Sequence, residues 1–284
     1  MCRFVAYSGE PVLLEDLLVR PEHSLVRQSS AAHDPEDRVN ADGFGVGWYA
    51  PELSSRPGVL RSPQPAWSSE ALRSIGGVVR SGLIFAHVRA ASPGLEVSEQ
   101  NCHPFAAESF LWMHNGTLGG HEAFKDWARR YLSSGSFSRI RGTTDSEYLF
   151  AFFLEQWEAA GRPVEPRALA EVLRGALHFI ADLQRETDVR EPSTLNIAFT
   201  DGRTLIATRH ALGRDVRQLS LHVAAGARLV DRDRTLGLAA AAAGERAAVI
   251  VASEPLFPDP AWREVPPDTL VLGEPGGGVV EVPM

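Results

Sequence analysis

Two helical patterns in the middle of the chain, flanked on both sides by strand-like segments, constrain the fold more than any other feature. Thr144 and Glu147 have the spacing of a capping box, and the apolar run behind them extends through Trp157. Pro166 opens a second helical pattern. The apolar face of that pattern comprises Leu169, Val172, Leu173, Ala176, Leu177, Ile180 and Leu183. Strands in two sets around a helical middle predict one layered α+β domain over residues 1–284.

Ten short segments show the alternating or continuous apolar residues that are typical of strands. They span residues 3–8, 43–49, 83–88, 110–114, 195–200, 204–208, 221–225, 247–252, 269–272 and 279–282. Asp201-Gly202 predicts a hairpin between two of them, and Asn115-Gly116 predicts a turn at the end of another. Further helices are expected at 70–80 and 121–132. The segment 51–65 is expected to be a loop, and 21–40 a loop with some helix.

The strand predicted at 43–49 alternates glycine with Phe44, Val46 and Trp48. One face of this strand therefore lacks side chains. Glycine on that face allows another backbone or a ligand to approach closely.

The composition argues against several classes of function. The net charge is −8 over 284 residues, whereas a general nucleic-acid binder needs a basic surface for phosphate contacts. No apolar run approaches the roughly 20 residues that span a bilayer, and no basic run suggests a membrane partner. The N-terminus lacks a signal-peptide pattern and the chain has two cysteines, so we expect a cytoplasmic protein. The histidines lack zinc-like spacing, so no metal or cofactor is expected.

Cys2 directly follows the initiator Met1. Removal of Met1 would place a thiol and a free α-amine on one residue, with ordinary pKa values of about 8.5 and about 7.7–8.0. The amine can then take the thiol proton near pH 7–8, as covalent catalysis requires. The alternative is that a cysteine at the second position has no function. Cys102 is expected to be a buried apolar thiol.

Other positions carry groups that suit amide hydrolysis. Arg89 follows a predicted buried strand, where its guanidinium could bind a substrate carboxylate or form a surface ion pair. Asn115 and Gly116 could supply an oxyanion hole through a side-chain amide and a backbone N–H, or form a hairpin turn. Asp145 begins a predicted helix, so its carboxylate could pair with a substrate ammonium or with the helix dipole.

Taken together, six segments of the first 150 residues or so make the chain resemble the class II glutamine amidotransferases. Members of this family are N-terminal-nucleophile hydrolases with a cysteine nucleophile. The segments are MCRF (1–4), NADGFGVGWY (40–49), FAHVRAAS (85–92), NCHPF (101–105), HNGTL (114–118) and GTTDSE (142–147). Many members have an Arg-Gly or Arg-Gly-Pro-Asp segment where this chain has Asn40-Ala41-Asp42-Gly43.

The resemblance implies a role for each matching residue. Cys2 would be the nucleophile and its own α-amine the base. The substrate's α-carboxylate would bind Arg89 and Ser92, and its α-ammonium would bind Asp145. Asn115 and Gly116 would form the oxyanion hole. The residues implied to shape the site are His87, His103, Asn40 and Asp42.

The resemblance also implies a fold and a reaction. The fold would be a four-layer αββα sandwich. Three segments carry a closer likeness within the family, RPEHSLVRQS (20–29), PAW (65–67) and SEQNCHPF (98–105). They make the chain most similar to stand-alone γ-glutamyl amidohydrolases of the glutathione-degrading fungal subunit type. The expected reaction is hydrolysis of a γ-glutamyl amide, from a γ-glutamyl peptide such as glutathione or from glutamine, through a γ-glutamyl thioester.

The sequence leaves alternatives open for the activity. One is a glutaminase subunit that delivers ammonia to a separate synthase, and another is a binding module without activity. A partner peptidase or synthase subunit is compatible with the sequence. The leaving group, the pathway, the oligomeric state and the removal of Met1 are not determined by it.

Overall fold

The computed structural model of the protein describes residues 2–30, 39–91, 94, 96–232, 235–242, 244–274 and 276–284. Its helices are α1 Leu14–Leu18, α2 Leu25–Ser30, α3 Glu70–Gly76, α4 His121–Tyr131, α5 Ser134–Phe137, α6 Asp145–Ala159 and α7 Pro166–Glu186. None of the helices in these ranges is long and apolar enough to cross a bilayer.

The strands form two antiparallel sheets. Their bounds are β1 Arg3–Leu13, β2 Phe44–Trp48, β3 Gly58–Ser62, β4 Arg80–Val88, β5 Phe105–Ala107, β6 Phe110–Thr117, β7 Ser193–Thr200, β8 Leu205–Arg209, β9 Ala211–Leu212, β10 His222–Arg232, β11 Thr235–Ala240, β12 Ala248–Ala252, β13 Arg263–Glu264, β14 Thr269–Gly273 and β15 Val279–Pro283. The first sheet has the order β11-β10-β12-β1-β4-β2-β3, with β13 beside β10. The second has the order β15-β14-β8-β7-β6-β5, with β9 beside β7.

Three apolar clusters define the layers. Phe4 and Ala6 of β1 pack with Leu111 and Met113 of β6 in the core between the two sheets. A second cluster joins the outer face of the first sheet to α1, α2 and α3. A third joins the outer face of the second sheet to α4, α6 and α7. This arrangement confirms the expected four-layer αββα sandwich.

The side-chain-free face of β2 packs against another segment, as its glycine pattern predicts. A Cβ added at Gly45 would lie 2.2 Å from the carbonyl oxygen of His103. One added at Gly47 would lie 2.6 Å from a methyl carbon of Leu111. Only glycine therefore allows β2 to contact the chain just before β5 and the face of β6.

Two local predictions were wrong. The segment 51–65 contains β3, which pairs with the full length of β2 at the edge of the first sheet. Asn115-Gly116 is not a hairpin turn, because β6 continues through both residues to Thr117 and pairs there with β7. The hairpin predicted at Asp201-Gly202 is confirmed, since β7 and β8 pair on either side of it.

Candidate active site

Cys2 lies directly before β1. Side chains alternate along a strand, so the Cys2 side chain shares the inner face of the first sheet with Phe4 and Ala6. Its Sγ is 3.4 Å from the amide nitrogen of Ala90 and 3.5 Å from that residue's carbonyl oxygen. Burial raises the pKa of the Cys2 thiol, and the hydrogen bond to Ala90 partly opposes this effect. The thiol therefore needs a base to become an efficient nucleophile.

Residues from the far end of the chain hold the backbone that follows Cys2. The Arg3 guanidinium donates to the carbonyl oxygen of Cys2 at 3.1 Å and to the Glu254 carboxylate at 2.5 Å. Ser253 accepts from the Phe4 amide through its hydroxyl at 3.0 Å, and its own amide donates to the Phe4 carbonyl. The segment beyond β12 thus positions the nucleophile. The sequence analysis did not include these contacts because they join residues about 250 positions apart.

Arg89 lies at the end of β4, next to Cys2 across the sheet. Its side chain is 3% exposed, and Nη1 donates to the backbone carbonyl oxygens of Asp42 and Glu96 at 3.3 and 3.2 Å. Nη2 is buried and has no hydrogen-bond partner among the described residues. A buried guanidinium with an unused donor favours a negatively charged ligand at this point. Ser92, the second predicted carboxylate ligand, lies outside the described residues.

Asp42 and Asn40 adjoin this arginine. Asp42 accepts from the amide of Ala91 at 2.8 Å, and its own amide donates to the carbonyl of Arg89. These bonds fix the loop that follows β4. Asn40 is buried, and its Oδ1 has no partner within the described ranges. The structure thus gives Asp42 a role in holding the Arg89 loop and places Asn40 two residues away.

Asn115 faces the same inter-sheet space from the opposite sheet. It shares a face of β6 with Leu111 and Met113, which belong to the inter-sheet core. Its side chain is 3% exposed. The next residue, Gly116, has φ +148°, and a Cβ there would lie 1.8 Å from the Thr194 carbonyl oxygen. Only glycine therefore lets β6 and β7 approach so closely at this position.

Asp145 is the first residue of α6. The helix is capped by Thr144, whose hydroxyl accepts from the amide of Glu147 at 3.3 Å. The Asp145 carboxylate accepts from the amides of Leu118 at 2.8 Å and Ser146 at 2.7 Å, so it is tied to the end of β6. Its negative charge raises the pKa of the Cys2 thiol, while the charge of Arg89 lowers it. Both groups therefore act on the thiol.

The Glu147 carboxylate holds the backbone of the segment just before α6. It accepts from the amides of Arg141 at 2.9 Å and Gly142 at 2.6 Å, and burial raises its pKa.

Asn101 links the segment just before α6 to the segment that follows Arg89. Its Nδ2 donates to the Glu96 carbonyl at 3.0 Å, and its Oδ1 accepts from the Thr143 amide at 2.9 Å. The sequence analysis placed Asn101 in a family motif but gave it no role.

The rings of the predicted site-shaping histidines lie against each other. The ring centroids of His87 and His103 are 4.3 Å apart. Burial lowers the pKa of His87 to about 3 and that of His103 well below its ordinary value. Both rings are therefore neutral near pH 7, and neither adds a competing positive charge beside Arg89.

His114 has a position that the sequence analysis did not anticipate. It points to the helical side of β6, where one ring nitrogen is 2.9 Å from the hydroxyl of Ser146 and the other 3.0 Å from the Thr194 carbonyl. A carbonyl can only accept, so Nε2 carries the proton in the neutral ring. His114 thereby ties β6 to the start of α6, beside Asp145.

The candidate residues thus combine a thiol, a guanidinium with a free donor, a carboxylate and an amide side chain at one end of the inter-sheet space. The guanidinium and carboxylate suit the two charges of an amino acid, and the thiol suits attack on an acyl carbon. Within the described ranges, no cluster of three histidine, cysteine or acidic residues could hold a metal ion. The two cysteines are free, and Cys102 is buried as expected.

Comparison with known proteins gives a consistent result. The family model "Glutamine amidotransferases class-II" matches residues 25–282. The probable glutamine amidotransferase DUG3 of Saccharomyces cerevisiae is 33% identical over 290 residues, which cover 95% of this chain and 81% of the yeast protein. The γ-glutamyl-hercynylcysteine sulfoxide hydrolase of Mycobacterium tuberculosis is 26% identical, over 95% of this chain and 92% of that protein.

Solved structures share the fold. A glutamine aminotransferase class-II domain protein of Silicibacter pomeroyi has a TM-score of 0.65 and 28% identity, with 99% of each chain covered. An allosteric regulatory enzyme of purine biosynthesis has a TM-score of 0.61 with 15% identity. That match covers 99% of this chain and 49% of the larger enzyme, and it shows similarity of fold alone.

Proposed function

The chain belongs to the class II glutamine amidotransferase family, and we propose that it is an enzyme that uses Cys2 to hydrolyse a γ-glutamyl amide. Residues 1–284 act in this proposal as a single class II glutamine amidotransferase-like domain. The observation that carries the proposal is the buried Arg89 guanidinium, whose Nη2 has no described partner and whose charge acts on the Cys2 thiol.

The reaction begins after Met1 has been removed. The α-amine of Cys2 takes the thiol proton, and the thiolate attacks the γ-carbonyl carbon of the substrate. The Asn115 side-chain amide and the Gly116 backbone N–H stabilise the resulting oxyanion. The protonated α-amine then gives its proton to the departing nitrogen as the carbon–nitrogen bond breaks. A γ-glutamyl thioester and a free amine or ammonia result.

The second half of the reaction regenerates the thiol. The α-amine takes a proton from water, and the hydroxyl attacks the thioester carbon. The carbon–sulfur bond breaks, glutamate leaves, and the proton returns to sulfur. The raised pKa of the partly buried thiol is consistent with this scheme, because the thiol is protonated until the neighbouring amine removes its proton.

The substrate is recognised at its amino-acid end. Arg89, helped by Ser92, binds the α-carboxylate, and Asp145 binds the α-ammonium. His87, His103, Asn40 and Asp42 shape the pocket around these ligands. All γ-glutamyl compounds and glutamine share this end, so these residues select the γ-glutamyl group rather than the leaving group.

We propose a small γ-glutamyl peptide, such as glutathione, as the substrate. The similarity to a mycobacterial γ-glutamyl-hercynylcysteine sulfoxide hydrolase over nearly the whole chain supports direct hydrolysis of a γ-glutamyl bond. We place the enzyme in the cytoplasm, where a nucleophilic thiol remains reduced. A partner peptidase is compatible with this activity and would consume the peptide that is released.

The test is glutamate release by purified protein whose N-terminus has been checked by intact mass. Glutamine, glutathione and a second γ-glutamyl peptide are offered separately to the wild-type chain, to Cys2→Ala and to the control Cys102→Ala. We expect release of glutamate from the peptides by the wild type and the control, and none by Cys2→Ala. Turnover that survives in Cys2→Ala would disprove the mechanism.

The alternative function is a glutaminase subunit that supplies ammonia to a separate synthase. Its support is that glutamine has the same α-carboxylate and α-ammonium that we assign to Arg89 and Asp145. In the same assay, this function predicts preference for glutamine over both peptides. It also predicts that a synthase copurifies with the chain in stoichiometric amount.

A further inference from the structure

Asn196 lies directly across the second sheet from Asn115. The two residues form a register pair between β7 and β6. Asn196 shares its face of β7 with Ala198, which belongs to the inter-sheet core, so both asparagines point into the space between the two sheets. Side chains in such a pair have Cβ atoms about 4.5–5.5 Å apart. The two amides are therefore close enough to interact.

The orientation of the Asn196 amide is fixed by its donors. Nδ2 donates to the carbonyl oxygens of Ser220 at 2.9 Å and Leu219 at 3.4 Å. Nitrogen must face these two carbonyls, because oxygen there would be repelled. Oδ1 therefore points elsewhere. It is buried and accepts no hydrogen bond from any described residue, although Asn196 is only 1% exposed.

The Asn115 side chain has a second N–H that requires an acceptor. A side-chain amide carries two N–H donors, and an oxyanion uses one of them. Asn115 is 3% exposed, and its amide atoms, unlike Asn196 Oδ1, are not among the fully buried side-chain atoms without a described partner. Without an acceptor for the second N–H, the side chain is free to rotate away from the reacting carbonyl.

From this geometry we propose that Asn196 is a positioning residue for the oxyanion hole. Its Oδ1 accepts the second N–H of Asn115 and thereby aims the first at the carbonyl oxygen of the substrate. This bond forms when substrate orders the site, since catalytic hydrogen bonds are commonly long without ligand and shorten in the complex. The inference rests on the proposed function, because it assigns Asn115 to the oxyanion.

A series of hydrogen bonds joins Asn196 to the strand that follows Cys2. Ser220, whose carbonyl holds Asn196, donates through its hydroxyl to the carbonyl of Ser253 at 3.0 Å. Ser253 in turn holds both backbone groups of Phe4, two residues after Cys2. Asn196 thus connects the sheet that carries the oxyanion donor to the strand that carries the thiol.

The test is a double-mutant cycle with Asn196→Leu and Asn115→Ala, measured as kcat and KM for the preferred γ-glutamyl substrate. Asn196→Leu keeps the volume and removes the acceptor. We expect kcat to fall about tenfold, the value of roughly one hydrogen bond, with KM nearly unchanged. In the Asn115→Ala background, the same change should have almost no further effect.

Two further variants separate positioning from folding. Asn196→Asp keeps an acceptor oxygen. Because two carbonyl oxygens face the new carboxyl group, we expect this group to stay protonated and to donate to Ser220. The variant should therefore recover most of kcat. Arg263→Gln is the control, since it removes a surface ion pair with Glu281. It should retain kcat. Thermal unfolding is measured for every variant.

The positioning role of Asn196 and the proposed hydrolase activity can fail separately in these experiments. Wild-type turnover that depends on Cys2 establishes the hydrolase activity without reference to Asn196. Equal losses from Asn196→Leu in both backgrounds, or no loss in the wild-type background, would overturn the positioning role alone.

Discussion

The buried Arg89 guanidinium shows how one unsatisfied donor can indicate a ligand. Its guanidinium holds two backbone carbonyls through Nη1, yet the buried Nη2 has no described partner. A cation kept from water normally has all of its donors satisfied. The unsatisfied donor therefore indicates a ligand with an acceptor at this point, and a carboxylate meets that requirement best.

Replacing this arginine tests that assignment. For Arg89→Gln we expect kcat/KM for γ-glutamyl substrates to fall about a hundredfold, since a hydrogen bond to a charged group contributes roughly 1.5–3 kcal/mol. Steady-state kinetics measure the loss. The control Arg263→Gln removes a surface pair with Glu281 and should have wild-type kinetics. An Arg89→Gln variant with unchanged kcat/KM would contradict carboxylate binding.

The sequence predicted where a candidate residue lies in a helix or strand when a local pattern indicated it. The helix cap formed by Thr144 placed Asp145 at a helix start, and the residue order placed Arg89 at a strand end. It did not reveal Glu254, Ser253 or Asn196. Their contacts depend on which strands become neighbours and in which register, and no local pattern determines either property.

At the scale of secondary-structure elements, β2 determines how closely the layers approach. Its glycines form a face on which the segment before β5 rests, with the His103 carbonyl at the position that a Cβ on Gly45 would need. The alternation predicted both the strand and the close approach. It could not predict β3, because Gly58–Ser62 has a weak pattern and is a strand only through pairing with β2.

Alanine substitutions at two glycines test this packing. Gly45→Ala should lower the unfolding temperature strongly, because its Cβ would lie 2.2 Å from the His103 carbonyl oxygen and force the backbone apart. Gly175→Ala in α7 is the matched change, with no atom within 4 Å of the new Cβ. It should stabilise the protein by up to about 1 kcal/mol. Equal unfolding temperatures for the two variants would contradict the packing.

At the scale of the whole molecule, the two sheets bury neutral histidines beside the site. The pKa of His87 is lowered to about 3 from its ordinary value of 6.5, and burial is the main cause. His103 is shifted in the same direction. Between pH 6.5 and about 3, the unfolded chain therefore binds protons that the folded chain does not, and unfolding becomes easier as pH falls.

This linkage predicts an acid-labile fold. The contribution of neutral His87 to stability should be complete above pH 6.5 and decrease below it, by at most about 1.4 kcal/mol per pH unit. Denaturant unfolding from pH 7.5 to 5 measures the slope, and His87→Gln should reduce it. The prediction fails if wild-type stability is constant over this range or if His87→Gln has the same slope.

The fold class was predictable because two helical patterns stand between two sets of strands, and the family motifs implied the four layers. The order of the strands in each sheet was not predictable. In the first sheet, for example, β1 lies between β4 and β12, which are distant in the chain. That order brings the start of β1 to the same end of the inter-sheet space as Asn115, and so creates the site from both sheets.

Acylation of Cys2 is the central claim and can be measured directly. Wild-type protein that begins with Cys2 is mixed with a γ-glutamyl substrate, quenched in acid, and its N-terminal peptide is analysed by mass. We expect a mass gain of one glutamyl group on Cys2, removable by hydroxylamine and absent when substrate is omitted. Rapid glutamate release without this adduct, or an adduct on Cys102, would contradict the account.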